Sequence, residues 1–291
     1  MADTRPTLAD RMTDAAARGL IGLGRLLPYR RRVPVMGWIT SRLLAPLTGW
    51  NRRVRKNLAL ILPDLAPADV RRICREATGN GGRLIIETYS GAEMAANVGA
   101  VPMVGPGAPA LLDACASDRA VLIVSGHFGN YEAIAVALKQ AGHEMAVLYR
   151  PMKNRLFNAH YVKALEDYAA PPIPTDRRGI TQVVRILRDG GTIGILIDLR
   201  NSSGAPLQFM GHTALTSTAA AEWAVKYNAL LVPAYGIRQP DGIGFEVFVD
   251  TPVPHSDDPA AMTQALNDSL ERQVRARPGQ WFWMHRRWST P

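Results

Sequence analysis

The segment Val124-Ser125-Gly126-His127-Phe128-Gly129-Asn130-Tyr131-Glu132 sets an imidazole and a carboxylate five positions apart around two glycines. It follows the most apolar stretch of the chain, Ala120–Ser125, and opens a helical pattern. Glycines on either side of His127 let backbone approach a substrate closely. If the turn is tight and the helix starts near Asn130, Glu132 folds back over the turn and meets the imidazole. A carboxylate bonded to one ring nitrogen fixes the tautomer and raises the basicity of the other nitrogen. His127 is then a general base near neutral pH, oriented by Glu132. The same residues also fit a turn histidine capped by a nearby acid. No protein nucleophile accompanies the pair: there is no GxSxG, and neither cysteine lies in a turn motif. There is no P-loop and no GxGxxG after a strand, and His143, His160, His212, His255 and His285 lack a metal-ligand spacing such as HExxH. A base without a nucleophile suits the activation of a substrate hydroxyl, so direct transfer of a group to an alcohol is the expected reaction class, with neither metal nor cofactor.

Such a base needs a rigid sheet edge. Apolar runs predict strands at 120–125, 145–149, 192–197, 229–235 and 245–249. Helical spacing predicts helices at 67–87, 131–140, 155–168, 179–188, 214–227 and 259–277, with a Gly/Pro/Ala-rich connection at 91–110. Alternating helices and all-apolar strands predict an α/β fold, with a mixed, mostly parallel sheet covered by helices on both faces. Ligands of such sheets gather at the carboxyl ends of the strands, where the His127 turn and Asp198 both fall.

Charge is distributed unevenly. Residues 1–56 hold 12 Lys+Arg against 3 Asp, whereas residues 57–291 hold 22 of each sign, so the whole excess of +9 lies in the first fifth of the chain. This excludes a protein that is basic all over, as a DNA-coating protein is. The basic groups Arg30–Arg32 and Arg52–Lys56 alternate with apolar patches that carry Leu, Ile and Trp38. That pattern fits a helix lying in a membrane interface and also an amphipathic helix packed on the body; bulky apolar residues argue against a nucleic-acid arm. No uncharged run reads as a membrane span and no signal peptide is evident. Cys74 and Cys115 are the only cysteines, which excludes a disulfide scaffold and suits a reducing compartment.

The H-x4-[DE] box at His127–Glu132 resembles that of the bacterial late acyltransferases of lipid A biosynthesis, within a wider set of glycolipid and lysophospholipid acyltransferases. Further segments are similar to the family in the same order: Arg52–Leu58, Tyr149–Asn154, Arg178-Gly179, Gly194–Asp198, Gln208–Gly211 and Trp283–Trp288. Tyr131, Leu199 and Met210 depart from the usual residues, and bear on substrate contacts rather than on the reaction. The resemblance implies a glycerol-3-phosphate acyltransferase-like domain at 57–291 behind a membrane-associating helical region at 1–56, on the cytoplasmic face of the inner membrane. It implies transfer of an acyl chain from acyl carrier protein, less often coenzyme A, to a hydroxyl of a lipid A precursor, with a lysophospholipid, an ornithine-type lipid or a phosphoglycolipid as the alternative acceptor and a non-catalytic membrane-binding protein as the alternative of another class. His127 and Glu132 are then catalytic. Backbone N–H groups at Gly129–Asn130 or the Arg150 side chain would stabilise the oxyanion, Asn154 and Arg178 would contact sugar or phosphate, and Asp198 would support an arginine or bind the acceptor. Trp281, Trp283, Trp288 and Arg286–Arg287 fit either an interfacial belt or a structural lock.

Overall fold

The computed structural model describes residues 6–166 and 172–288. The basic amino-terminal region forms α1 (Leu8–Arg25), α2 (Tyr29–Ile39), one π-helical turn at Thr40–Leu44, α3 (Ala45–Leu47) and α4 (Trp50–Ile61). Then come α5 (Pro67–Thr88), α6 (Gly91–Asn97), β1 (Met103–Val104), α7 (Ala108–Cys115), β2 (Val121–Ser125), α8 (Ala133–Gln140), β3 (Ala146–Tyr149) and α9 (Arg155–Glu166). The chain continues through β4 (Ile173–Pro174), α10 (Arg177–Arg188), β5 (Thr192–Leu196), β6 (Ala205–Phe209), β7 (His212–Thr216), α11 (Ala219–Lys226), β8 (Leu230–Arg238), β9 (Phe245–Val249), α12 (Pro259–Ala276) and a 3-10 turn at Pro278–Gln280. Helix starts carry local signals: Thr7 and Asp10 make a reciprocal capping box on α1, and Asp176 and Asp258 cap α10 and α12.

Seven strands form one sheet in the order β1-β9-β8-β2-β5-β3-β4, parallel throughout except between β8 and β9. The mixed α/β architecture expected from the alternation is therefore the one observed. Every residue of β2 and β8 is buried, as uninterrupted apolar strands must be when helices cover both faces. Separately, β6 and β7 pair as a hairpin. Met210 and Gly211 turn it with φ of 55° and 78°, the left-handed pair that a two-residue hairpin needs.

Two expectations are corrected. The connection at 91–110 holds α6, β1 and the start of α7, because its Ala and Met residues keep helical spacing between the glycines. The helix expected at 214–227 starts only at Ala219. Thr213 and Thr216 instead extend β7, where branched side chains fit a pleated surface. The last two residues of the helix expected at 155–168 lie outside the described residues.

The amino-terminal helices share the main core. Ile21, Tyr29, Val33 and Met36 are buried in one cluster with Ile123 of β2 and Val232 of β8. The crossing of α2 with α5 needs glycine: a Cβ on Gly82 would lie 2.2 Å from Thr40 Oγ1, and one on Gly37 2.9 Å from Arg83 Nε. The outer faces of these helices stay apolar. Leu8, Met12, Leu23, Leu26, Trp38 and Leu47 are exposed, Leu47 to 84%. No helix among the described residues is long and apolar enough to cross a membrane.

Of the two readings of the carboxyl-terminal tryptophans, the packing is that of a lock. Trp281 and Trp288 are buried against Phe209 and Trp283 against Trp281, and buried Arg287 donates to Leu215 O and Thr216 Oγ1. Arg286 alone of this group is exposed.

Candidate active site

Strands β2 and β5 are in parallel register, with Ser125 beside Leu196. Two residues past these ends stand His127 and Asp198, so the register brings their side chains together. His127 Nδ1 lies 2.8 Å from Asp198 Oδ1, and the His127 backbone N–H donates to Asp198 Oδ2 at 2.9 Å. Trp281 Nε1 donates to the same Oδ2 at 2.9 Å. Asp198 is wholly buried, while the His127 side chain keeps 20% exposure. Burial alone would raise the Asp198 pKa, but His127, His285 and the Trp281 N–H hold it well below the usual carboxylate range. The carboxylate thus stays ionised beside the ring, with Nδ1 as the hydrogen-bonded nitrogen and Nε2 left for a substrate proton.

This corrects the pairing expected from the box. The carboxylate on the imidazole is that of Asp198, at Nδ1, and Glu132 Oε1 accepts from Thr88 Oγ1 of α5 at 2.7 Å. The reason is where the helix begins: Asn130 Oδ1 accepts the Glu132 N–H, and α8 starts only at Ala133. The carboxylate therefore faces α5, beneath the turn.

The oxyanion donors expected at Gly129–Asn130 are also already used. Gly129 N–H donates to Gln280 O at 2.9 Å and Asn130 N–H to Gly236 O at 2.8 Å. The Asn130 side chain is fully buried and donates to Glu87 Oε2. Each of the two backbone N–H groups thus already has a carbonyl acceptor. Gly129 is required by the backbone, with φ of 55° and Gly236 O only 1.9 Å from where a Cβ would lie. Asn154 is structural as well: Oδ1 caps α9 by accepting from Leu156 and Phe157 N–H, and Nδ2 donates to Asp10 O of α1. Arg150 is exposed one residue past β3, and Arg178 is exposed in the first turn of α10. Both lie at the sheet edge that carries His127.

One neighbour escaped the sequence reading. The His285 ring meets the His127 ring edge to face at 4.6 Å, with Tyr131 also against His127 at 5.5 Å. Burial, and the charge on His127 when it is protonated, push the His285 pKa down to about 3, so this imidazole is neutral at working pH. Among the described residues, His127, Asp198 and His285 form the His/Asp group whose donor atoms come within 4.8 Å of one another. The direct Nδ1–Asp198 bond within it is the arrangement of an acid–base centre. The only forewarning of His285 was its place in the Trp283–Trp288 segment.

A profile of the bacterial lipid A biosynthesis acyltransferases matches residues 10–290. The chain belongs to this family. It is 27% identical over 186 residues to a lipid A biosynthesis lauroyltransferase of Escherichia coli, an alignment covering 61% of this chain and 59% of that protein. It is 23% identical over 283 residues to the lipid A biosynthesis palmitoleoyltransferase of the same organism, covering 94% and 89%. It is also 23% identical over 249 residues to a phosphatidylinositol mannoside acyltransferase of Mycobacterium tuberculosis, covering 82% and 78%. The chain therefore spans less than two-thirds of the lauroyltransferase.

Two family-like segments far apart in this lipid A acyltransferase family member meet at the site. Asn57 of α4 donates to both Trp283 O and His285 O, and Arg53 Nη1 donates to Met284 O. The basic amino-terminal region thus holds the backbone that carries His285.

Proposed function

We propose that the protein is an O-acyltransferase that moves a fatty acyl chain from a thioester on acyl carrier protein to a hydroxyl of a lipid A precursor. The observation that carries this reading is the His127–Asp198 contact at a strand-end turn with no nucleophile beside it. His127 Nε2 takes the acceptor hydroxyl proton as that oxygen attacks the thioester carbonyl. Asp198 stabilises the imidazolium. Collapse of the tetrahedral intermediate then expels the thiolate, which regains the proton from His127. Because the Gly129 and Asn130 N–H groups are engaged, the oxyanion needs other donors. Arg150 is the side chain assigned that role, two strands or about 10 Å along the same edge. Arg178 is assigned to acceptor phosphate.

The exposed apolar residues of α1 to α3, interleaved with arginines, support an enzyme lying on an anionic bilayer at the cytoplasmic face of the inner membrane. A second acceptor class, a phosphoglycolipid, is favoured by the 82% of this chain that aligns with the mannoside acyltransferase. Mass spectrometry of lipids from a strain lacking the gene tests both. Loss of one acyl chain from lipid A supports the first, loss from a phosphoglycolipid supports the second, and an unchanged lipid profile overturns both.

A further inference from the structure

Behind the turn lies a buried charged network that the proposed chemistry does not use. Glu87 of α5 is fully buried and Arg238, at the end of β8, is 6% exposed. They form a two-pronged ion pair, Nη1 to Oε1 and Nη2 to Oε2, the latter at 2.6 Å. Glu87 Oε2 also accepts from Asn130 Nδ2 at 2.9 Å. Arg238 Nε donates to Asn80 Oδ1 at 2.9 Å, and Asn80 Nδ2 donates to Gly129 O at 2.8 Å. Gln280 closes the other side: it exchanges two bonds with the Arg238 backbone and accepts the Gly129 N–H.

The Gly129 N–H, the Gly129 carbonyl and the Asn130 N–H are thus bonded in turn by the Gln280 carbonyl of the 3-10 turn, the Asn80 side chain of α5 and the Gly236 carbonyl of β8. His127 itself is fixed at its N–H by Asp198 and at its carbonyl by the Phe282 N–H. A buried ion pair is a poor way to gain stability, since apolar residues of similar size do as well or better. What a fully bonded buried network supplies is one geometry. We propose that Glu87, Arg238 and Asn80 are positioning residues that hold the Gly129–Asn130 turn and thereby aim His127 Nε2 while Nδ1 stays on Asp198. The proposal rests on the reading of His127 as the base. Misplacing a catalytic group by about 1 Å costs about 100-fold in rate, and that is the effect expected here.

The test uses the full-length protein and two readouts. One is kcat and KM for acyl transfer to the lipid acceptor. The other is the nuclear magnetic resonance of the His127 Nδ1 proton and the titration of the ring, which needs no turnover. Glu87→Leu with Arg238→Met removes both charges and leaves no buried ion unpaired. It is expected to fold with a lowered melting temperature, since Asn130 Nδ2 and Asn80 Oδ1 lose their partners, to lose about 100-fold in kcat at unchanged KM, and to shift or broaden the Nδ1 proton. Asn80→Ala leaves the ion pair intact and cuts only its tie to Gly129 O; a tenfold loss of kcat with the same spectral change is expected. A folded double variant, or a folded Asn80→Ala, with the wild-type kcat and Nδ1 resonance would overturn the proposal and leave the network a purely stabilising one. If the wild-type protein transferred no acyl chain, the functional reading would fall, while the Nδ1 resonance would still report whether the network aims the ring.

Discussion

Asp198→Asn turns the geometry of the site into a rate. The wild-type carboxylate accepts on both oxygens: Oδ1 faces His127 Nδ1 at 2.8 Å, and Oδ2 faces two N–H donors, His127 backbone and Trp281 Nε1, each at 2.9 Å. Asparagine has one acceptor and one donor end. With its NH2 at the Oδ2 position it would confront two N–H groups; with its NH2 at Oδ1 it keeps both of those bonds and confronts only Nδ1. The second orientation wins, and it forces Nδ1 to accept, so the neutral ring carries its proton on Nε2 and has no lone pair for the acceptor hydroxyl. Regaining the reactive tautomer means flipping the amide and leaving two buried donors unmet, at about 1–3 kcal/mol each. A total of about 2–6 kcal/mol corresponds to a fall in kcat of about 30-fold to 10⁴-fold, with KM for the acceptor unchanged. The assay is steady-state transfer from an acyl thioester to the lipid acceptor in detergent, with nitrogen chemical shifts of His127 to identify the tautomer. A kcat within threefold of wild type, or a ring still protonated on Nδ1, would refute the reasoning.

Four further outcomes are expected. His127→Ala abolishes transfer while the circular dichroism and melting curve stay those of a folded protein; residual activity above one-hundredth of wild type would remove His127 as the base. Glu132→Gln keeps an acceptor for Thr88 and costs less than about tenfold in kcat, whereas a loss as deep as that of Asp198→Asn would return the orienting role to Glu132. Gly129→Ala abolishes activity and lowers the melting temperature, because the new Cβ meets Gly236 O at 1.9 Å; a wild-type melting curve would contradict the tight turn. For His285 the folded-state pKa of about 3 lies below the ordinary 6.5, so the unfolded chain binds a proton more readily and stability is lost as pH falls from 6.5 towards 3. His285→Phe should therefore flatten the loss of melting temperature between pH 6.5 and pH 4, and an unchanged pH slope would show that His285 is not the group responsible.

The turn itself was legible in the sequence because it is local: a histidine between glycines after an apolar strand. The parallel sheet was legible too, since β2, β5 and β8 are apolar without alternation. What escaped reading was set by register and by helix entry. Asp198 reaches His127 only because Ser125 and Leu196 are neighbours across β2 and β5, and pairing register is not written in either strand alone. Glu132 was assigned to the imidazole from its spacing, but a delay of a few residues in the start of α8 turns it to α5. Glu87, Asn80 and Arg238 gave no signal, since they lie as far as 158 positions apart and each on its own looks like an ordinary surface residue. The carboxyl-terminal tryptophans illustrate the same limit, because an aromatic-rich segment suits a bilayer edge as well as a core until Phe209 is seen to stack on Trp288.

The late position of Gln280, Trp281 and Phe282 gives the site an order of assembly during synthesis. These three residues supply partners to Gly129, Asp198 and His127, yet they leave the ribosome about 220 residues after α4. At about 5–20 residues per second that is an interval of roughly 10–45 s. Throughout it, the amphipathic helices are available to settle on a surface while Asp198 still lacks the Trp281 N–H and the turn its Gln280 clasp. Translation itself thus orders the two halves: the amino-terminal helices can form well before the His127 turn and Asp198 gain their last partners.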